Sequence, residues 1–382
     1  MASDAALSWQ AALIDRQVHI SPYDGQALAV TLSGLLAQFE RVGVLTYDER
    51  AVVQTALSAS ACRAPSITLD AAKSSRDKYE MRRRFAEAGL SVPAFELAGS
   101  VEDAERSASR IGFPVVLKPR FGLMSQGVVR VDNFEQIRAH FARIKSVAET
   151  HAVFAGEISR SKILIEKYLP GREIAVDGIV DDARFEVIGI FDKPEMLEGP
   201  YFEETFYITP SIEPQDMIMQ VLRAVAAGAG ALGLRQGPVH AELRIESDVA
   251  TLIEIAARPI GGLCGRAYTY CLGTDYHDLV LRAALGLAAG NKDVETVLPS
   301  GVLMVPVPER GILRAINGVE EARQQTWVRD VFMMAKPGDR LSGFPEQDCY
   351  LGFIIASGPS RADVQGALKR AHSCLNFVVE PD

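Results

Sequence analysis

The chain has 382 residues, enough for two or three domains, and its 48% hydrophobic content is ample for a large core. A net charge of −9, with no basic run longer than Arg82-Arg83-Arg84, argues against a nucleic-acid surface. The five cysteines, at 62, 264, 271, 349 and 374, lack metal-ligand spacing, and an odd number suits a reducing, cytoplasmic setting without a disulfide framework. No basic-then-apolar leader is evident at the N-terminus. The most apolar helical candidate, Val221 to Leu234, is too short to span a bilayer, so no membrane role is expected.

In chain order, Ala27 to Phe39 has helical spacing, Val42 to Thr46 reads as a buried strand and Glu49 to Ala61 as a helix. This predicts a small piece of a doubly wound unit, without a GxGxxG dinucleotide fingerprint. Asp77 to Gly89 reads as a basic amphipathic helix closed by glycine, its three arginines on the solvated side and Lys78 a surface charge near its start. A helix over Val101 to Ile111 precedes a strand, Phe113 to Pro119, that delivers Lys118 at its end. The turn that follows carries Gly122, Ser125 and Gly127 and leads into a strand over Val128 to Val131. Such a turn lets backbone approach an anion closely, although many ordinary hairpins carry two glycines.

Ile163 to Lys167 is a strand running into Tyr168-Leu169-Pro170-Gly171, and Glu173 to Val180 is the next strand. Together they can offer backbone groups and a carboxylate to a purine and ribose; an ordinary edge strand is the competing reading. Residues 195 to 210 are rich in acids and aromatics without clear periodicity, which suits a substrate-lining loop or an interface. Met217 to Leu232 is an alanine-rich helix suited to packing on a sheet. Cys271 to Leu287 reads as a further helix on which His277 is structural or exposed. From about residue 291, apolar runs at 302–308 and 350–358 and a helix over Ser360 to His372 predict a final α+β subdomain.

The most informative stretch is Gly237 to Arg266. Two apolar runs, Val239 to Leu243 and Thr251 to Ile255, flank a polar Glu-Ser-Asp turn and predict a β-hairpin. Side chains alternate along a strand, so His240, Glu242 and Arg244 share one face, as do Glu254 and Ala256. If those faces coincide, two carboxylates converge, with Arg258 four residues beyond the second. Paired carboxylates beside a guanidinium suit Mg²⁺ bridging phosphate oxygens.

Taken together, Lys78, the Lys118-Pro-Arg-Phe-Gly-Leu-Met-Ser-Gln-Gly-Val loop, Glu166-Lys-Tyr-Leu-Pro-Gly, Glu173, Glu242 and Glu254-Ile-Ala-Ala-Arg258 resemble, in order, the motifs of the ATP-grasp superfamily. Within it the chain resembles carboxylate-amine ligases typified by bacterial L-amino-acid ligases (dipeptide synthetases). The resemblance covers residues from about 40 to the end. It implies an α/β (α+β) ATP-grasp fold with a shortened N-terminal α/β domain (1–75), an ATP-grasp domain (76–290) and a C-terminal α+β subdomain (291–382). It further implies ATP with Mg²⁺ (or Mn²⁺) as cofactors and small-molecule carboxylate and amine substrates, and it leaves room for a homodimer. Lys78 and Lys118 would hold phosphates under a loop of Gly122, Ser125, Gln126 and Gly127. Glu166, Lys167, Tyr168 and Leu169 would frame adenine, Glu173 would take the ribose, and Glu242 and Glu254 would bind metal. Arg258 would be catalytic, steadying an acyl phosphate, and Glu204, Tyr207, Gly261, Gly262 and Arg266 would meet substrate. Cys264 is expected to be a packed thiol.

The chain departs from the pattern at Ala256, where many relatives carry Asn, and after Glu204, where relatives often carry a histidine. Two alternatives stay open. One is a carboxylase or purine-pathway type of enzyme phosphorylating bicarbonate or formate, against which stand the lack of an Ala-Met-Lys-Met segment and the aromatic loop at 195–210. The other is a non-catalytic nucleotide-binding protein.

Overall fold

The computed structural model describes residues 2–3, 14–154, 161–194, 200–202, 205–287, 297–343 and 350–381. The N-terminal part holds a two-residue parallel pair, β1 (Ala2–Ser3) with β2 (Val18–His19), and then the helices α1 (Gly25–Leu36), α2 (Val52–Ala61) and α3 (Leu69–Arg76). The strand expected at 42–46 does not form; the segment is extended without a ladder partner, and Gly43 lies so close to the Ala284 carbonyl that a Cβ would meet its oxygen at 2.6 Å. Backbone packing against a helix terminus has replaced sheet pairing there. Among the described residues this region is therefore mainly helical, not a doubly wound unit.

A four-stranded antiparallel sheet follows. Its strands are β3 (Phe95–Ala98), β4 (Val115–Pro119), β5 (Val129–Val131) and β6 (Ile163–Lys167), in the order β3-β6-β4-β5. Helix α4 (Lys78–Glu87) precedes this sheet, while α5 (Val101–Ile111) and the 21-residue α6 (Phe134–Phe154) pack on it. Strand β6 is interior, not an edge, which excludes the ordinary-edge reading of residues 163–167. Ile137, Phe141 and Ile144 of α6 pack with Val115, Leu117, Ile163 and Ile165, the i, i+4, i+7 stripe of a helix laid on a sheet.

The larger sheet has eight strands in the order β11-β10-β7-β8-β9-β12-β16-β14, every pairing antiparallel. It is built from β7 (Arg172–Asp181), β8 (Arg184–Lys193), β9 (Phe206–Thr209), β10 (Gly237–Glu246), β11 (Val249–Ala256), β12 (Ser300–Val305), β14 (Val328–Met333) and β16 (Gly352–Ser357). It therefore runs without a break from the hairpin into the C-terminal strands. A small sheet of β13 (Gly311–Asn317), β15 (Arg340–Leu341) and β17 (Asn376–Glu380), with helices α10 (Val319–Arg323) and α11 (Arg361–Cys374), completes that end. Residues 206–209, read as part of an irregular loop, are a buried central strand because β12 supplies their ladder.

Helix α7 (Gln215–Ala231) crosses the hairpin side of the large sheet. A Cβ at its Gly228 would come within 2.4 Å of Leu252 and 2.8 Å of Ile255, so the glycine allows the close approach that its alanine-rich sequence suggested. The helix expected over 271–287 is two, α8 (Cys264–Leu272) and α9 (Tyr276–Ala284), broken at Gly273, which caps α8 in the left-handed region.

Candidate active site

The hairpin forms as expected, and its register decides the site. Ser247 and Asp248 both take positive φ in a tight two-residue turn that sets Glu246 opposite Val249 and Leu243 opposite Leu252; a β-bulge between Glu242 and Leu243 then shifts the register by one residue, so that Glu242 lies directly opposite Glu254 and His240 opposite Ala256. The next strand, β7, sets Asp177 against His240 and Glu173 against Arg244, and β8 sets Lys193 against Glu173. One face of the large sheet thus carries rows of charged side chains into the space between the two sheets. That space is a cavity of about 510 Å³.

Lys78 stands at the start of α4, whose N-cap Asp77 accepts from the Tyr79 and Glu80 backbone and also takes both arms of Arg120 at 2.6 Å. The Lys78 backbone in turn donates to the Arg120 carbonyl. Helix start and glycine turn are thereby tied together, and Lys78 is buried, not a surface charge. Its Nζ lies 2.9 Å from Glu254 Oε1. In the turn, Met124, Ser125 and Gly127 all have positive φ, and a Cβ on Gly127 would meet Pro119 at 2.9 Å. Gly122, Ser125 and Gln126 line the cavity; Gly127 shapes the turn from behind.

Arg82 corrects the expectation of a solvated arginine face. Arg83 is exposed, but Arg82 is fully buried, with Nε 2.6 Å from Glu166 Oε1, while Lys118 Nζ lies 2.5 Å from Glu166 Oε2. Burial alone would raise the Glu166 pKa, but the two cations outweigh it and hold the carboxyl below its usual range. Burial, together with Arg82 and Lys78 nearby, brings Lys118 down to about 8 despite the attraction of Glu166. Lys167 turns its ammonium to the Gly112 and Phe113 carbonyls, each at 2.9 Å, and Tyr168 lies under Arg130. Glu166, Lys167, Tyr168, Leu169 and Glu173 all line the cavity.

Sequence reading does not single out Lys193 or Glu49 as site residues, and Arg244 and His240, read only as sharing the Glu242 face, gain partners here. Lys193 bridges Glu173 at 2.6 Å and Glu242 at 2.8 Å, and Arg244 holds the other Glu173 oxygen at 2.8 Å. Glu49, buried, joins Arg76 at 3.3 Å and Arg258 at 2.9 Å, so the N-terminal region orients the guanidinium expected to be catalytic. His240 lies 3.3 Å from Asp177; burial opposes its charged form, but that carboxylate prevails and raises the imidazole to about 9. Strand alternation could have flagged Lys193, which ends β8 on the same face as Phe191. No local pattern points to Glu49 or Arg82.

Arg258, Tyr207, Gly261 and Gly262 line the far end of the cavity with Ile260, Met304 and Phe353. Arg266 is not brought there. Its guanidinium faces Asp330 at 3.3 Å and covers the Phe332 ring, because α8 points it toward β14. Glu204 lies outside the described residues. Cys264 is buried in the core, as expected of a packed thiol.

The residues present fit a divalent cation of the hard, oxygen-seeking kind. Two carboxylates oppose each other on one face, and among the described residues no third His, Cys, Asp or Glu closes a full ligand set around them. That is the open arrangement Mg²⁺ uses when phosphate oxygens and water complete its shell. No helix among the described residues is long and apolar enough to cross a membrane.

Comparisons with known proteins agree with this geometry. Residues 111–267 match an ATP-grasp domain, and residues 303–380 match the L-amino acid ligase C-terminal domain 2. The fold is similar to the crystal structure of L-amino acid ligase from Bacillus licheniformis, with a TM-score of 0.81 and 26% identity over 94% of this chain and 86% of that one. In sequence, the chain is 28% identical over 248 residues to alanine–anticapsin ligase of Bacillus subtilis, covering 62% of this chain and 51% of that protein. It is 29% identical over 269 residues to carnosine synthase 1 of Gallus gallus, covering 67% of this chain and 28% of that protein. The chain spans about half the length of the first of these relatives and less of the second. Its two matched segments are thus similar to the ATP-grasp domain and to the C-terminal domain of L-amino acid ligases.

Proposed function

We propose that this chain is an ATP-dependent ligase that joins a small carboxylate, an amino acid or a similar acid, to an amine. The observation that carries the reading is the convergence of Lys78, Lys118, Glu242, Glu254 and Arg258 on one cavity between two sheets. In the proposed reaction a substrate carboxylate oxygen attacks the γ-phosphorus of ATP, and ADP leaves. The amine then attacks the carbonyl carbon of the acyl phosphate, losing a proton as inorganic phosphate departs. Catalysis of this kind is mainly positioning and charge neutralisation, and the cavity has both signs of charge for it.

Lys78 and Lys118 would exchange their carboxylate partners for phosphate oxygens, and the glycine turn would close over them. Arg258, held by Glu49, would face the acyl phosphate and the tetrahedral species. Glu242 and Glu254 would hold Mg²⁺, which supplies charge neutralisation at the phosphates. Tyr207, Gly261 and Gly262 would border the substrate. The named activities of the relatives, an amino-acid ligase among them, support this class of reaction. The low cysteine count without a framework supports a cytoplasmic setting, and 1–75, 76–290 and 291–382 serve as the working domain division.

The test is ADP and phosphate release from Mg-ATP over a matrix of carboxylates and amines, with Glu254→Gln as the blank. Release requiring both substrates and absent from the variant is the expected result. Release that ignores every amine, or none at all, overturns the ligase reading.

A further inference from the structure

We propose that Asp177 is a positioning residue for the carboxylate Glu242, acting through His240. The inference rests on the reading of Glu242 as a metal ligand. Asp177 sits in the middle of β7, 1% exposed, and does not line the cavity, whereas His240 and Glu242 do. A carboxylate buried away from solvent is costly unless its oxygens are partnered. Oδ2 accepts from the Tyr268 hydroxyl at 3.1 Å, while Oδ1 has no hydrogen bond among the described residues and lies in ion-pair contact with His240 Nδ1 at 3.3 Å.

The opposite ring nitrogen, Nε2, faces Glu242 Oε1 at 3.7 Å. A line of polar groups therefore runs from the packed core to the cavity wall: Tyr268, Asp177, His240, Glu242. Its anchored end is rigid, since Tyr268 is fully buried and its ring stacks on Tyr276 with centroids 5.5 Å apart. The cross-strand register sets Asp177 directly opposite His240. His240 and Lys193 meet the same oxygen of Glu242, Oε1, at 3.7 and 2.8 Å, so a fixed His240 gives the carboxylate a second neighbour; without that restraint, Lys193 alone decides where it lies.

Outer partners of metal-binding groups are worth about 10–100-fold in metal affinity. The experiment is calorimetric titration of the full chain with ADP, once with Mg²⁺ and once with EDTA, for the wild type and Asp177→Asn. The expected result is ADP binding weakened at least about tenfold in Mg²⁺ and unchanged within about twofold in EDTA. Equal weakening in both conditions, which a merely structural role would give, overturns the proposal, as does no change in either. Should Asp177→Asn fail to fold, Tyr268→Phe removes only the anchoring hydroxyl, and a selective loss of about threefold in Mg²⁺ is the expected result; no selective loss overturns the proposal. A wild type whose ADP binding ignores Mg²⁺ would overturn the metal reading itself, so the two failures are distinguishable.

Discussion

Arg82 and Glu166 form an ion pair in the interior, 2.6 Å apart, and the arginine has no exposed surface. The pair links α4 to β6 and thus braces the smaller sheet against the helix that positions Lys78. Breaking a buried pair by removing one member typically costs about 3–5 kcal/mol, because the other charge is left desolvated. Arg82→Met is expected to lower the urea midpoint accordingly, while the exposed neighbour variant Arg83→Met changes stability by less than about 0.5 kcal/mol.

Lys193 pairs at 2.8 Å with Glu242, one of the two carboxylates proposed to hold a divalent cation. Its replacement by Gln frees that carboxylate, so Mn²⁺ binding without nucleotide, followed by electron paramagnetic resonance, is expected to tighten severalfold. Unchanged or weaker Mn²⁺ binding would show that Lys193 does not compete for Glu242.

Lys78 makes the corresponding contact with Glu254. Lys78→Met removes a cation proposed to meet phosphate, and charge-assisted contacts are worth roughly 1.5–3 kcal/mol. Mg-ADP affinity is expected to fall about 10–100-fold, as read by calorimetry.

Gly262 has a positive φ, and a Cβ there would lie 2.1 Å from the end of the Met304 side chain. Gly262→Ala must push Met304 into the cavity. The expected outcome is a raised KM for the bulkier of two carboxylate substrates with Mg-ADP affinity unchanged, and equal effects on large and small acids would contradict it.

His151, buried behind the glycine turn, supplies a pH signature. Burial first, and then Lys78, Arg76 and Arg50, push its imidazole down to about 4. Between pH 6.5 and 4 the unfolded chain binds this proton and the folded chain does not. Its contribution is thus fully present above pH 6.5 and lost as pH falls, by about 3 kcal/mol in all. Carboxylates held near 2 by arginines, such as Glu80 and Glu96, add their own loss only below about 4.5. Denaturant titrations from pH 7 to 4.5 are expected to show a shallower fall in His151→Phe than in the wild type. The comparison cancels His277 and His372, which shift in the same direction.

Much was legible from residues alone because it was local. Apolar runs at 239–243 and 251–255 with a polar turn between them specify a hairpin, whereas the β-bulge beside Glu242 that brings it opposite Glu254 was not legible in the alternation. Lys118 at a strand end before a glycine-bearing turn, and the helix read from residue 360, are equally short-range signals. The ordered motifs also carried the resemblance to ATP-grasp enzymes. What required tertiary structure was every partnership across long sequence separation. Arg82 meets Glu166 and Glu49 meets Arg258 only because separate elements pack together. Arg266 has the right charge and the right neighbourhood, yet α8 aims it at Asp330. Spacing determines which face a side chain takes on its own element; which charge lies opposite is decided by packing, and in a buried site that pairing governs charge state, orientation and access.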